Sequence, residues 1–560
     1  MKLEVVVLGI VVLFIGSCAI PTNGRSLQKS QLPFQGHWLY VGGVGPGNYS
    51  TIQDAIDNAS DGDTVFVFHG TYVGHVNINK SLTLIGEDKY TTVISGFMAY
   101  TVSIISDQVT MRGFTIQNGG RLGEGVRIDS CYTTFNNNVV DIPKDDIRLV
   151  GDNNIISDNI ITANIFYLSG NGNIISTNSI TNFYYGIFLT NAWESIISNN
   201  SFFNSGLFFS DNVATETVVI NNTVNDKTLV FLDDEVDLIV HGGAGQIILM
   251  NCTNITVKDQ EILDTTVGIQ IIESATCFIS NNLIAGNQYG ISHLGWNNII
   301  KNNIIIDNNN GVLLSGEGNT ISDNTISNNS VGIYCDDSTK YNCIVNNTVI
   351  HNFFGMQLDF GSDCNTISSN TILNNTYGIR IGSIGNCIYQ NNLIQNTQNA
   401  YDSSLNTWYN ADLHQGNFWS DYSGGDLNHD GIGDTPYNIT GGTSQDTYPL
   451  IHPYGETDLV IRFVPHLFNS ELTIQNTGVT TAFSINWTFL IEGGPLLFCK
   501  GEFSGGIRSL LPGEGIVLPL RFLFFGLGAI KIHIWGTAEN APVVETTIHG
   551  FLFLFLFLIR

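Results

Sequence analysis

The chain has 560 residues, a formal net charge of −28, only 12% charged side chains and 43% hydrophobic ones. So acidic a balance excludes the basic face that nucleic acid requires, and the hydrophobic share excludes a disordered chain. What is left is a neutral, polar, mildly acidic surface suited to divalent cations or neutral glycans, and 59 Gly against 12 Pro favour many strands joined by short turns.

Residues 1–24 read as an export signal. Lys2 precedes an apolar run from Val5 to Ile15 that is too short to span a bilayer, and Gly16, Ser17 and Cys18 follow before Pro21. Ile15-Gly16-Ser17-Cys18 also matches a lipoprotein box, with Cys18 as the acylated residue. A secreted or cell-surface location follows, with no transmembrane anchor expected once the signal is removed. Residues 25–41 read as a linker. The nine cysteines contain no CxxC pair and fall largely in repeat slots, as buried thiols do.

Ser50-Thr51-Ile52-Gln53 reads as a capping box before a short amphipathic helix, Asp54 to Ala59. Strands are expected at Thr64 to Phe68 and Ser81 to Ile85. From residue 153 one phrase recurs, as in Asn154-Ile155-Ile156-Ser157-Asp158-Asn159-Ile160-Ile161 and Asn319-Thr320-Ile321-Ser322-Asp323-Asn324-Thr325-Ile326. Its second Asn falls at 159, 178, 200, 222, 282, 303, 324, 347, 370 and 392, at spacings of 19 to 23 residues apart from one gap. Apolar residues stand two after and three before each anchor, and a small polar slot stands five before. A fixed repeat with identical slots implies stacked coils, each too small to bury its apolar face alone. Asn recurs because its amide can form a ladder along the stack and because it tolerates the left-handed turn conformation. A second strand opens with Gly and an apolar residue, as in Gly311-Val312, Gly332-Ile333, Gly355-Met356 and Gly378-Ile379, with Gly at a corner. Alternation then points Ile333 and Cys335 inward and Tyr334 outward. In the gap, Gln260 takes the anchor slot and 225–245 forms an excursion.

The segment Thr51 to Tyr72, with Ile52, Ala55, Ala59, Gly62-Asp63-Thr64 and Gly70-Thr71-Tyr72, resembles the opening of the pectin-lyase-like β-helix superfamily. The Asn-rich coils resemble the NosD-type and carbohydrate-binding and sugar-hydrolase repeats. Gly416-Asn417-Phe418-Trp419 through Tyr448-Pro449-Leu450 resembles the segment that closes such helices in archaeal surface proteins. The resemblance spans about 42 to 455. It implies an all-β chain: a right-handed parallel β-helix of about 22 residues per coil over 42–400, and a closing segment over 401–456. Residues 457–560 add a β-sandwich, expected from six or seven short strands separated by turns at Asn476-Thr477-Gly478 and Leu511-Pro512-Gly513. The tail Phe551 to Ile559 reads as a two-sided buried strand or a docking strand for a partner.

Asp426-Leu427-Asn428-His429-Asp430-Gly431-Ile432-Gly433-Asp434 alternates oxygen-bearing side chains around a Gly turn. Asp426, Asn428, Asp430 and Asp434, with the Ile432 carbonyl, form a candidate structural calcium loop, although Tyr437 stands where an EF-hand has its bidentate Glu. On the Gly-led strands, Tyr334, Gln357 and Arg380 fall in register as an outward ligand-binding row, and Asp336 aligns with Asp359. Asp336, Asp359 and Arg380 are the catalytic candidates, because a lyase needs acids to hold a cation and hydrolysis needs two carboxylates. The paired-Asp, His-Gly and Arg-Ile-Lys segments of polygalacturonases are not reproduced. The NosD-type resemblance implies copper, but the scattered His residues give no spacing for a copper site. The sequence therefore predicts extracellular recognition or envelope scaffolding, with an extracellular polysaccharide as ligand and envelope proteins as further partners through the C-terminal domain. A calcium-assisted polysaccharide lyase or glycoside hydrolase is the alternative, and a copper-insertion accessory the second alternative.

Overall fold

A coil of some 22 residues cannot enclose a core, so its inward side chains must stack on those of the next coil. The computed structural model shows this stacking in residues 36–560. The described residues leave out 98–99, 119–122, 211–215, 429, 456–458, 465–469, 478–481, 494–500, 512–513, 521–525, 539–540, 555 and 560. The export signal, Cys18 and most of the linker lie outside the described residues.

One coil stands for the rest. Ile299–Lys301, Ile304–Ile306 and Asn310–Ser315 are the three sides, and each pairs in parallel with its counterpart in the next coil. Ile300, Ile305, Val312 and Leu314 point inward and are fully buried. At the corners stand Asn298, Asn303 and Asn308, five residues apart and buried. The Asn303 backbone N–H donates to Asn324 Oδ1 at 2.9 Å, while its Nδ2 donates to Ile279 O at 2.9 Å and to Asn324 Oδ1 at 3.0 Å. Each buried amide is thereby satisfied along the stack, which removes the penalty of an unpaired corner. The left-handed residue is the one before each ladder Asn: Asn297, Asn302 and Asp307 have φ of 55°, 56° and 56°. Left-handed tolerance thus belongs to that preceding slot, and the ladder Asn is there for its amide.

Two further expectations shift. In the last regular coil the anchor is Asn391, which accepts the Asn370 N–H at 3.0 Å, and Asn392 is its outward neighbour. The inward residues there are accordingly Leu393 and Ile388, with Asn386 in the polar slot. The glycines that open the third side do not turn a corner through positive φ. They form a column in which a Cβ on Gly311 would lie 2.6 Å from the Gly332 carbonyl oxygen and one on Gly332 2.5 Å from that of Gly355.

The stack begins under the helix Ile52–Asn58, whose Ile52, Ala55 and Ile56 cover the first coil. Its N-cap is Thr51, whose hydroxyl accepts from Asp54 N at 3.1 Å, rather than Ser50. Gln53 instead bonds both backbone groups of Asn77, accepting at 2.8 Å and donating at 3.2 Å.

The expected excursion is a seam. One sheet ends at Val218–Ile220, and two new ones start at Ile239–Val240 and Glu261–Leu263. A tight antiparallel pair, Thr223–Val224 with Lys227–Asp233, reverses the chain, which then resumes parallel pairing with Ala244–Met250. The core divides here: Ile248, Met250 and Ile272 belong to the N-terminal core, while Ile247, Leu249 and Ile271 of the same strands belong to the C-terminal one. Opposite faces of one pair of strands therefore serve two stacks.

Residues 459–559 form a β-sandwich: a three-stranded sheet, Leu459–Val464, Ser470–Asn476 and Gly515–Leu520, and a five-stranded sheet built on Ala482–Gly493 and Gly526–Ala538. They share one core containing Ile461, Leu472, Phe489 and Ile532. Sequence reading missed the strand Gly501–Leu510. The tail is a hairpin rather than one strand: Ala541–Leu554 turns into Leu556–Ile559, with Phe551 paired to Leu558 on the edge of the larger sheet.

Candidate functional site

The long sheet carries the outward residues of every third side. Its register places Tyr334 beside Gln357, Gln357 beside Arg380 and Arg380 beside Tyr401. Asp359, one residue past the strand Phe354–Leu358, joins the row: Tyr334 OH donates to its Oδ2 at 2.6 Å and Gln357 Nε2 to its Oδ1 at 3.0 Å. Arg380 Nη1 lies 4.0 Å from Asp359 Oδ1, a half-exposed pair that solvent screens. The Arg380 guanidinium also lies 5.9 Å from the ring centre of Phe354, which stacks on Tyr377 at 4.9 Å. The Tyr334 phenol is held well above its ordinary range, first by burial and then by its bond to Asp359.

Asp336 is placed differently from its aligned partner. Its Oδ1 accepts from Ser338 N, Ser338 Oγ and Thr339 Oγ1 at 2.9–3.1 Å, so it closes its own turn. An open groove of about 440 Å³ follows the row, lined by Phe354, Gln357, Tyr377, Arg380, Gln398 and Tyr401. Sequence reading missed Phe354, Tyr377, Gln398 and Tyr401. The signal was available in the aromatic residue before Gly355 and Gly378. Chemically the groove offers a flat aromatic face, a guanidinium donor and an anchored carboxylate acceptor, a set that suits a ring with one apolar face and a polar rim.

In the acidic loop, Asp426 accepts from Asp430 N at 3.2 Å and from Gly431 N at 3.0 Å, and Asp434 accepts from Leu427 N at 2.7 Å. Asp430 accepts from Ile432 N at 2.9 Å and from Asn428 Nδ2 at 2.9 Å. Gly431, at φ 85°, makes the sharp turn. His429 lies outside the described residues. Among the described residues no three His, Cys, Asp or Glu side chains are gathered as a metal site.

Solved structures resemble this chain at low identity. The mannuronan C-5 epimerase AlgE6 A-module of Azotobacter vinelandii is 14% identical, with 64% of this chain and 93% of that one covered and a TM-score of 0.28. The periplasmic alginate epimerase AlgG is 14% identical over 65% and 83%, at 0.29. Pectin methylesterase PemA of Erwinia chrysanthemi is 14% identical over 46% and 80%, at 0.22. None of the curated proteins matches the sequence. The family described as "Periplasmic copper-binding protein (NosD)" matches residues 56–237, 210–359 and 297–424, which overlap into one run over well more than half of the chain. The chain therefore belongs to the NosD family.

Proposed function

We propose that this protein is an extracytoplasmic glycan-binding scaffold that contacts polysaccharide along the outward face of its long sheet. The observation that carries the reading is the row of Tyr334, Gln357, Arg380 and Tyr401 beside the Phe354–Tyr377 stack, with Asp359 pinned by two hydrogen bonds. A rigid solenoid repeats such positions at about 4.8 Å per coil, the scale on which a sugar chain presents its rings. The export-like N-terminus and the periplasmic description of the family support the location.

The family description names copper, and although Cys343 and Cys364 are exposed, no three His, Cys, Asp or Glu side chains are gathered among the described residues to hold it. Met111, Met250 and Met356 are buried in the core, as are Cys252, Cys277 and Cys335. His293 is fully buried between Asn298 and the Ser315 carbonyl, and burial lowers its pKa to about 4. Calcium in the acidic loop is part of the proposal. Asp426, Asp430 and Asp434, with Asn428 and the Ile432 carbonyl, would have to turn from the loop N–H groups toward the ion, and its role would be to pin the closing segment.

The test is retention of the mature protein on columns of neutral and acidic polysaccharide, with product analysis, in calcium and in chelator. Retention that falls about tenfold in Arg380→Ala and Tyr401→Ala, without product, supports the reading, as loss of one stacked or charge-assisted contact would give. New reducing ends or unsaturated uronates lost in Asp359→Asn would replace it with a lyase or hydrolase. No retention on any polymer would end it. For the loop, calcium should raise the melting temperature of the parent and leave that of Asp426→Ala unchanged.

A further inference from the structure

A second groove, of about 570 Å³, opens on the same sheet toward the N-terminus, lined by Glu124, Asp146, Arg148, Tyr167, Ser169 and Thr190 among others. The register makes Arg127, Arg148, Tyr167, Phe188 and Phe208 successive outward residues, one per coil. The aromatic part is a continuous shelf. Tyr167 and Phe188 have ring centres 5.6 Å apart, Phe188 and Phe208 stack at 5.5 Å, and Tyr289 follows across the seam at 5.4 Å. All four rings are half-exposed.

The other end of the groove is polar. Arg127 is held by Asp129 and by Tyr100 OH. Arg148 is freer: its Nη1 stands 3.6 Å from Glu124 Oε1. Among the described residues Glu124 Oε2 and Asp129 Oδ1 are enclosed with no hydrogen-bond partner. Each such oxygen carries the penalty of an unmade hydrogen bond, which turning outward onto a ligand would relieve. Asp146 accepts from Asn164 Nδ2 and Ile165 N through one oxygen, and burial pushes its carboxyl and that of Asp145 upward.

An apolar shelf ending in carboxylate acceptors and a guanidinium donor matches a sugar ring, with a C–H face on the aromatics and hydroxyls that both donate and accept. Charge narrows the class. Among the residues that line the groove, Glu124 and Asp146 outnumber Arg148. A carboxylated or sulfated sugar therefore meets net repulsion there, and a neutral one does not.

We propose that this groove is a neutral-oligosaccharide site, separate from the Arg380 row, in which a sugar stacks on Tyr167 and Phe188 while Glu124, Asp146 and Arg148 hold its hydroxyls. The test is affinity electrophoresis of the full mature chain in gels containing a mixed-linkage β-glucan, a galactomannan or polygalacturonate. The variants are Glu124→Gln, which keeps the side-chain shape, Tyr167→Ala, and Arg380→Ala as the control for the other row, each checked for an unchanged melting profile. The expected result is retardation by a neutral polymer that drops about tenfold in Glu124→Gln and Tyr167→Ala and persists in Arg380→Ala. Three results would overturn the proposal: polygalacturonate retarding the parent more than either neutral polymer, neutral retardation indifferent to Glu124→Gln and Tyr167→Ala, or no retardation by either neutral polymer. Loss in Arg380→Ala alone would assign binding to the other row.

Discussion

At the scale of the residue, the cost of a ladder position is set by how many partners it leaves behind. Asn347 is buried in the middle of the anchor ladder. Its Oδ1 accepts from Asn324 N at 3.0 Å and Asn324 Nδ2 at 2.9 Å, and its Nδ2 donates to Ile321 O at 2.8 Å and Asn370 Oδ1 at 3.0 Å. Alanine there would strand donors above and acceptors below in a site water does not enter. Asn347→Ala is expected to lower stability by about 2–4 kcal/mol, whereas Ser327→Ala on an outer surface changes it by less than about 0.5 kcal/mol. Urea unfolding of the two variants side by side decides this. Equal effects would mean that the ladder is ornamental and the isoleucines alone hold the coil.

At the scale of the element, the seam is where strand pairing is replaced by side chains. Leu207–Phe209 pairs with Ile187–Leu189 on one side. On the other, Gln246 bonds Leu207 N and O at 2.9 and 2.6 Å, and Gln270 bonds Phe209 N and O at 3.1 and 2.7 Å. Thr266 Oγ1 adds a bond from Gly206 N at 2.9 Å. The two glutamines thus imitate a neighbouring backbone and seal the end of the N-terminal stack. Gln246→Leu should leave Leu207 unpaired and speed amide exchange across 205–209 by at least about tenfold, with coils 298–394 unchanged. Uniform exchange would show that the seam is held by its apolar contacts instead.

The coil was legible because Asn, Ile and Gly recur in fixed slots, and Gln260 was legible as an anchor substitute, its N–H donating to Asn282 Oδ1 at 3.0 Å. The third ladder, Asn287 to Asn396, was visible only in the five-residue spacing of Asn298, Asn303 and Asn308. The doublet Asn391-Asn392 gives no clue to which side chain faces inward. The seam was not legible, because Gln246 and Gln270 act on a strand some 39 and 61 residues earlier. The outward row followed from register. The orientation of Asp336 did not, since it depends on Ser338 and Thr339 winning its carboxylate from the row.

At the scale of the whole molecule, the ladders share a direction. Each Asn donates its N–H toward the C-terminal neighbour, so each column ends in unsatisfied donors, as the N-terminus of a helix does. In the C-terminal stack an aspartate closes each of the three columns, directly or, beyond Asn396, through Asn399. Asn406 donates to Asp402 at 2.9 Å, Asn399 to Asp421 at 2.8 Å, and Asn417 N to Asp446 at 2.7 Å. Asp446 also accepts from Trp419 Nε1 at 2.8 Å and Tyr448 N at 3.0 Å. Burial pushes its pKa up to about 6, against the opposing pull of these donors. The unfolded carboxyl titrates near 3.8, so between those values the folded chain keeps a proton that the unfolded chain has released. The stability this group contributes is therefore complete at low pH and is lost as pH rises through about 6. Asp446→Asn does not titrate. Its penalty relative to the parent should be greater at pH 4 than at pH 7.5, by up to about 3 kcal/mol. Chemical unfolding of both proteins at the two pH values measures the difference. A penalty that grows with pH would mean that the converging N–H groups keep Asp446 ionised, making it a true anionic cap on the ladder.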